Sequence, residues 1–196
     1  MIISRTPFRI SLFGGGTDYP VWYNKYQGNV LSGTINKYCF ITARYLPPFF
    51  NYNHRIRYHK QEEKNNIEDI EHPSVRETIK FLNINKGLEI VHNADLPAQS
   101  GLGSSSTFTV GLLNALYALK NYMPTKRELA LNAINIEQNL IGEYVGSQDQ
   151  TAAAFGGLNS ISFSKNNIVD VSPLPISEDR LIELENTLML FFTGFA

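Results

Sequence analysis

Apolar residues crowd into short β-rich runs through the first half of the chain and recur at helical spacing through the second. Residues 2–13 and 29–46, rich in Ile, Val, Phe, Tyr and Thr, and the shorter Leu88–Val91 are each bounded by Gly, Pro or Asn, which predicts strands. From Ser105 to Lys120 the apolar positions Leu112, Leu116, Leu119 and Val110, Leu113, Tyr117 predict a helix of about four turns that Pro124 stops. Thr125 with Glu128 reads as a capping box, and the stripe Leu129, Ala133, Ile136, Leu140 predicts a second helix over 126–141. Ser147 and Gln150 repeat the capping pattern ahead of a third, short helix over 148–155, closed by Gly156-Gly157. Residues 158–171 read as a hairpin turning at Lys165-Asn166-Asn167. Strands first and helices afterwards predict an α+β fold. The apolar stretch LMLFFTGFA, residues 188–196, reads as a strand with nothing downstream to cover it, so the chain is expected to be a fragment.

Composition narrows the function classes. With 196 residues, 43% hydrophobic and 18% charged, the chain can fill an ordinary soluble core. A formal net charge of -1 gives no global field toward nucleic acid or an anionic membrane. Cys39 is the single cysteine, expected to be a buried core thiol, and four scattered histidines give no zinc-type cluster. No run approaches the ~18 apolar residues of a membrane span, and the N-terminal apolar run is too short for a signal peptide, so the cytoplasm is the expected compartment. RYLPPFFNYNHRIRYHK, residues 44–60, interleaves basic and aromatic side chains as an RNA-binding segment does. A hairpin edge presenting Arg55, Arg57 and His59 outward is the preferred account, with no nucleic-acid partner.

The chemistry concentrates in PAQSGLGSSSTF, residues 97–108. A glycine turn that opens a helix exposes unpaired backbone N–H groups at the positive end of the helix dipole, which suits a phosphate. Gly101 and Gly103 allow close backbone approach, while Ser104, Ser105 and Ser106 bring hydroxyls for phosphate oxygens or magnesium. The GK[ST] ending of a Walker loop is missing.

P-x-x-x-G-L-G-S-S-S at 97–106, T-P-F-R-I-S-L-F-G-G-G-T-D-Y at 6–19 and E-Q-N-L-I-G-E-Y-V-G-S-Q-D-Q at 137–150 together resemble the motifs of the GHMP kinases, a family of small-molecule kinases. The resemblance implies a GHMP-kinase-type N-terminal domain, a mixed sheet with helices packed on one face, over residues 1–180. Residues 181–196 would then begin a C-terminal domain that is truncated or missing. It implies ATP and Mg2+, with Gly101, Leu102, Gly103, Ser104, Ser105 and Ser106 on the ATP phosphates and Ser105 with Glu137 holding the metal. Asp149 and Arg9 would be catalytic, and Gly15, Gly16, Thr17 and Asp18 would bind the substrate. Near a helix N-terminus, Asp149 is expected to be ionised with a low pKa. Within the family the same motifs, with R-I-R-Y at 55–58 and H-P-S-V-R at 72–76, imply phosphorylation of the anomeric hydroxyl of a heptose 7-phosphate, and Gly14-Gly15-Gly16, where galactokinases carry Gly-Glu-His, would widen the pocket for such a sugar. Cations of residues 44–60 are candidates for meeting the 7-phosphate. Another sugar-1-kinase of the family, such as a fucokinase or galactokinase-like enzyme, and a catalytically silent ligand-sensing relative remain the alternatives. The implied partners are a small sugar phosphate and ATP, without a membrane, and a homodimer is the candidate assembly.

Overall fold

A computed structural model of the chain describes residues 1–98 and 100–191. The strands are β1 (Ile2–Phe13), β2 (Gly28–Tyr45), β3 (His54–Arg57), β4 (Gln61–Lys64), β5 (Leu88–Ala94), β6 (Leu158–Ser164) and β7 (Ile168–Pro173). The helices are α1 (Pro20–Tyr23), α2 (Pro73–Phe81), α3 (Ser104–Leu119), α4 (Lys126–Asn135), α5 (Gln148–Phe155) and α6 (Glu178–Thr187).

β2 organises the sheet. One of its edges carries β1 antiparallel from Ile2↔Ala43 to Phe13↔Leu31. The other is shared, with β5 along Cys39–Tyr45 and β6 along Gly28–Gly33. β3 joins β5 in parallel while every other pairing is antiparallel, so the sheet is mixed. Burial on β2 follows the two-residue period of a strand: Cys39, Ile41 and Ala43 are buried, and Phe40, Thr42 and Arg44 are half-buried on the other face.

α3 lies across β1 and β2, with α5 beside it and α2 and α4 against its flanks. Its sequence, SSSTFTVGLLNALYAL, is a poor helix former, holding two β-branched threonines and a glycine. Tertiary burial overrides that preference, since ten of its residues from Ser106 to Leu116 are buried. Fully buried Leu112, Leu113 and Leu116 each stabilise the packing by about 2 kcal/mol. Ser4 Oγ adds a hydrogen bond to the Gly111 carbonyl oxygen, 2.7 Å, which pins mid-helix to β1.

The strands read from residues 2–13, 29–46 and 88–91, the three helices and the 158–171 hairpin are all present, with these differences. The second helix is α-helical only to Asn135, and Ile136–Ile141 continue as a π-helical turn closed by Gly142 at φ 81°. Thr125 caps α4 by accepting from the Glu128 N–H at 3.1 Å, but the Glu128 carboxylate accepts from the Tyr122 hydroxyl instead of returning the bond. Ser147 caps nothing with its side chain. β3 is not an edge, since β4 covers it on one side and β5 on the other. Arg55 and Arg44 share the Glu89 carboxylate, so those two cations are neutralised on the sheet itself. Cys39 is 1% exposed, and burial pushes its thiol up to about 12. α2 and α6 are additional to the expected helices: α2 is short, with Pro73 in its first turn and Val75 and Ile79 buried, and α6 buries no residue. The boundary expected at residue 180 falls inside α6. Residues 188–191 are not a strand, and 192–196 of that expected element lie outside the described residues. Among the described residues no helix is long and apolar enough to cross a membrane.

Candidate active site

The glycine turn before α3 is clamped from below by β1. Gly101 and Gly103 both take left-handed conformations, φ 74° and 76°, and Gly103 is the helix N-cap with no side chain to cap it. Arg9 fixes the turn twice: its backbone N–H donates to the Leu102 carbonyl oxygen at 3.2 Å, and Nη1 donates to that of Gly101 at 2.9 Å. A methyl group on Gly103 would stand 3.1 Å from Asp149 Oδ2 and 3.2 Å from Arg9 Cγ. The start of α3, with its dipole and peptide N–H groups, therefore touches the Arg9–Asp149 pair directly.

That pair is a two-pronged ion bridge, Arg9 Nε to Asp149 Oδ1 and Nη2 to Oδ2, both 2.7 Å. Matching a planar guanidinium to a carboxylate in this way fixes the orientation of both groups. Burial, the largest influence on the Asp149 carboxyl, raises its pKa, and Asp18 nearby raises it too; the charge and hydrogen bonds of Arg9 oppose them without cancelling them. The low pKa expected from the helix terminus is thus overturned by desolvation. A carboxylate of raised pKa is the better proton acceptor.

Glu137 sits in the π turn after α4 and is 1% exposed. Its Oε2 accepts from Ser106 Oγ at 2.8 Å and from Gln150 Nε2, while Oε1 has no partner. Burial raises its pKa, against the lowering by hydrogen bonds from Thr109, Ser106 and Gln150. Ser105 was expected beside Glu137, yet the hydroxyl that touches it is that of Ser106. Ser105 is the exposed residue of the trio, because successive helical positions point about 100° apart and only one serine can face α4. A buried carboxylate ringed by neutral donors, with one oxygen unsatisfied, is a fit for a hard cation that brings its own waters, as magnesium does.

Asp18 is turned inward, 1% exposed. Oδ1 accepts from the Gly16 N–H at 3.0 Å and Oδ2 from the Gln148 N–H at 3.1 Å, so this carboxylate caps the start of α5 from a turn 130 residues away. Gly146 makes room, since a Cβ there would lie 1.9 Å from Asp18 Oδ2. Thr17 Oγ1 is occupied by the Gly14 carbonyl oxygen at 2.7 Å and the Asn29 peptide. Gly15 and Gly16 are exposed, and Gly15 joins Arg9, Ser11, Gly101, Leu102 and Gln148 around a hollow of about 520 Å³. The motif reading gives Ser106 to the ATP phosphates and passes over Gln148 and Gln150 as site residues, whereas Ser106 and Gln150 both donate to Glu137 and Gln148 donates to Asp18. The signal was present in the Q-D-Q run around Asp149.

The elements converge: the turn before α3 supplies Gly103 and α3 Ser106, β1 supplies Arg9, the π turn supplies Glu137, and α5 supplies Asp149 and Gln150. Residues 73–157 match the family model described as GHMP kinases N terminal domain. A D-glycero-alpha-D-manno-heptose 7-phosphate kinase of Campylobacter jejuni is 34% identical over 202 residues, covering 98% of this chain and 60% of the relative. Over residues 73–157 the chain is similar to the GHMP kinases. A crystal structure of a D-glycero-D-manno-heptose 1-phosphate kinase from Bacteroides thetaiotaomicron superposes with a TM-score of 0.83 at 30% identity, over 94% of this chain and 63% of that one. A galactokinase of Pyrococcus furiosus is more distant, 26% identical over 98% of this chain and 53% of its own length. The chain thus spans a little over half the length of these GHMP kinases.

Proposed function

We propose that the protein to which this chain belongs is an ATP-dependent sugar kinase acting on the anomeric hydroxyl of a heptose 7-phosphate, with residues 1–180 as its nucleotide-binding part. The observation that carries this reading is the contact of Gly103 with the Arg9–Asp149 pair, which joins a phosphate-binding turn to a proton acceptor. Likeness to heptose phosphate kinases over 94–98% of the chain selects the sugar class.

Phosphoryl transfer needs positioning and neutralisation of charge more than covalent chemistry. The peptide N–H groups of Gly101–Ser106 would hold the ATP phosphates at the head of α3. Asp149 would accept the proton of the sugar hydroxyl as its oxygen bonds the γ-phosphorus and the bond from that phosphorus to the β,γ-bridging oxygen breaks, releasing ADP. Arg9 uses three of its five N–H donors on Asp149 and Gly101, and the remaining two serve the oxygen on which charge accumulates. Glu137 with a serine hydroxyl, from Ser106 as placed or Ser105 after reorientation, would hold magnesium, which when bound offsets the negative charge of the phosphates. Asp18 orients the start of α5 and, through it, Asp149.

The test is ATP turnover by the purified protein with Mg2+ and, side by side, D-glycero-D-manno-heptose 7-phosphate, galactose and fucose. Preference for the heptose phosphate is the expected result. Turnover of an unphosphorylated sugar alone would move the substrate assignment within the family, and no turnover with any sugar would remove the kinase reading.

A further inference from the structure

The Gln148 amide stands between the inward carboxylate of Asp18 and the hollow. Its Nε2 makes a long contact of 3.5 Å to Asp18 Oδ1, and its Oε1, buried, has no donor at all. The same amide nitrogen is 3.7 Å from where a Cβ on Gly15 would be, so it occupies space that the triglycine turn leaves clear. Its backbone is fixed, because the Gln148 N–H is held by Asp18 Oδ2 and the residue begins α5 directly before Asp149. A buried amide oxygen without a partner is left desolvated and uncompensated, and native structures satisfy such atoms with protein, water or ligand. Gln148 thus has an anchored backbone, one weakly held amide end and one unsatisfied acceptor beside the space where a substrate must lie next to Asp149.

We propose that Gln148 is a specificity-determining residue of the sugar site: its amide turns to accept a hydrogen bond from a ring hydroxyl, while Asp18 behind it holds the helix start in place. This inference rests on the sugar-kinase reading and adds to it the residue that reads the hydroxyl pattern. The direct assignment of sugar hydroxyls to Asp18 places them on a carboxylate that is 1% exposed and already accepts two backbone N–H groups. Gln148 is reached without breaking either bond.

The experiment uses Gln148→Ala and, in case the smaller side chain unsettles α5, Gln148→Met, which keeps the length and loses the amide. Kinetics are measured in the whole protein with D-glycero-D-manno-heptose 7-phosphate and its monodeoxy analogues. Both variants are expected to raise the KM for the sugar roughly tenfold, as the loss of one hydrogen bond in a desolvated site predicts, with the KM for MgATP unchanged. One monodeoxy analogue, lacking the hydroxyl that Gln148 reads, should be bound equally by wild type and variants. A sugar KM unchanged in both variants overturns the inference, as does an equal penalty for every analogue, which is the mark of a merely structural role. If the wild type turns over these sugars while the variants behave so, only this inference falls; a wild type inert toward all sugars removes the kinase reading together with it.

Discussion

Arg9 and Asp149, 140 residues apart in the chain, meet through two parallel hydrogen bonds of 2.7 Å, and the arginine reaches past the aspartate to the Gly101 carbonyl oxygen. One side chain thereby sets the distance between the proton acceptor and the turn that would carry the phosphates. Asp149→Asn keeps the shape but opposes an N–H2 to one guanidinium prong. Turnover is expected to fall by roughly 10²–10⁴, the usual contribution of a positioned acid–base group, with nucleotide affinity within a few-fold of wild type. Steady-state kinetics with a nucleotide-binding titration check both halves, and undiminished turnover would take Asp149 out of the mechanism.

Gly146 offers a purely steric test of how the site is held. A Cβ there would overlap Asp18 Oδ2 at 1.9 Å, and its backbone is not left-handed, so the added methyl acts first on Asp18. Gly146→Ala should release Asp18 from the Gln148 N–H and loosen the start of α5. Overpacking of this kind costs about 1–3 kcal/mol, so a lower thermal midpoint is expected together with a lower turnover. A fully active, equally stable variant would show that Asp18 does not anchor α5.

Much of this architecture is legible in the sequence because its signals are local. Alternation on β2, the Leu129–Ala133 spacing of α4 and the glycines closing α5 each depend on neighbours a few residues away. The inward turn of Asp18 is not legible, because an acid after three glycines reads as exposed and what buries it is a backbone N–H 130 residues on. Nor is the π turn: Ile136, Leu140 and Ile141 preserve apolar helical spacing while the backbone widens to swing Glu137 toward Ser106. Which of three consecutive serines faces Glu137 depends on the start of α3, and an uncertainty of one residue there changes the answer.

Glu137 makes the metal reading testable without activity. Its folded pKa is raised above the ordinary 4.5 by burial, so the fold holds the protonated form more tightly than the unfolded chain does. The resulting stability is fully present below about pH 4.5 and is lost as pH rises through the folded value. Metal-free protein should therefore lose thermal stability with rising pH more steeply than Glu137→Gln, and Mg2+ should raise the midpoint of wild type but not of the variant. Parallel pH profiles with equal magnesium shifts would remove Glu137 as the metal holder.

His72 gives the opposite slope. Its ring stacks on Phe108 in the second turn of α3, centroids 4.6 Å apart, and its Nδ1 is buried without a partner. Burial, with His92 and His59 adding like charge, lowers its pKa from 6.5 to about 4 despite the nearby Glu62. A lowered pKa means that the unfolded chain binds the proton first, so the contribution of His72 is present above pH 6.5 and is lost as pH falls toward 4. His54 and His92 are lowered in the same direction, so His72→Phe should flatten this acid limb only in part. Thermal midpoints measured between pH 7 and pH 4 distinguish the two proteins. Since Phe108 lies two residues beyond Ser106, protonation of His72 also reaches the helix that would hold the nucleotide. The KM for MgATP should therefore rise on acidification more in wild type than in the variant, and identical profiles would confine His72 to packing.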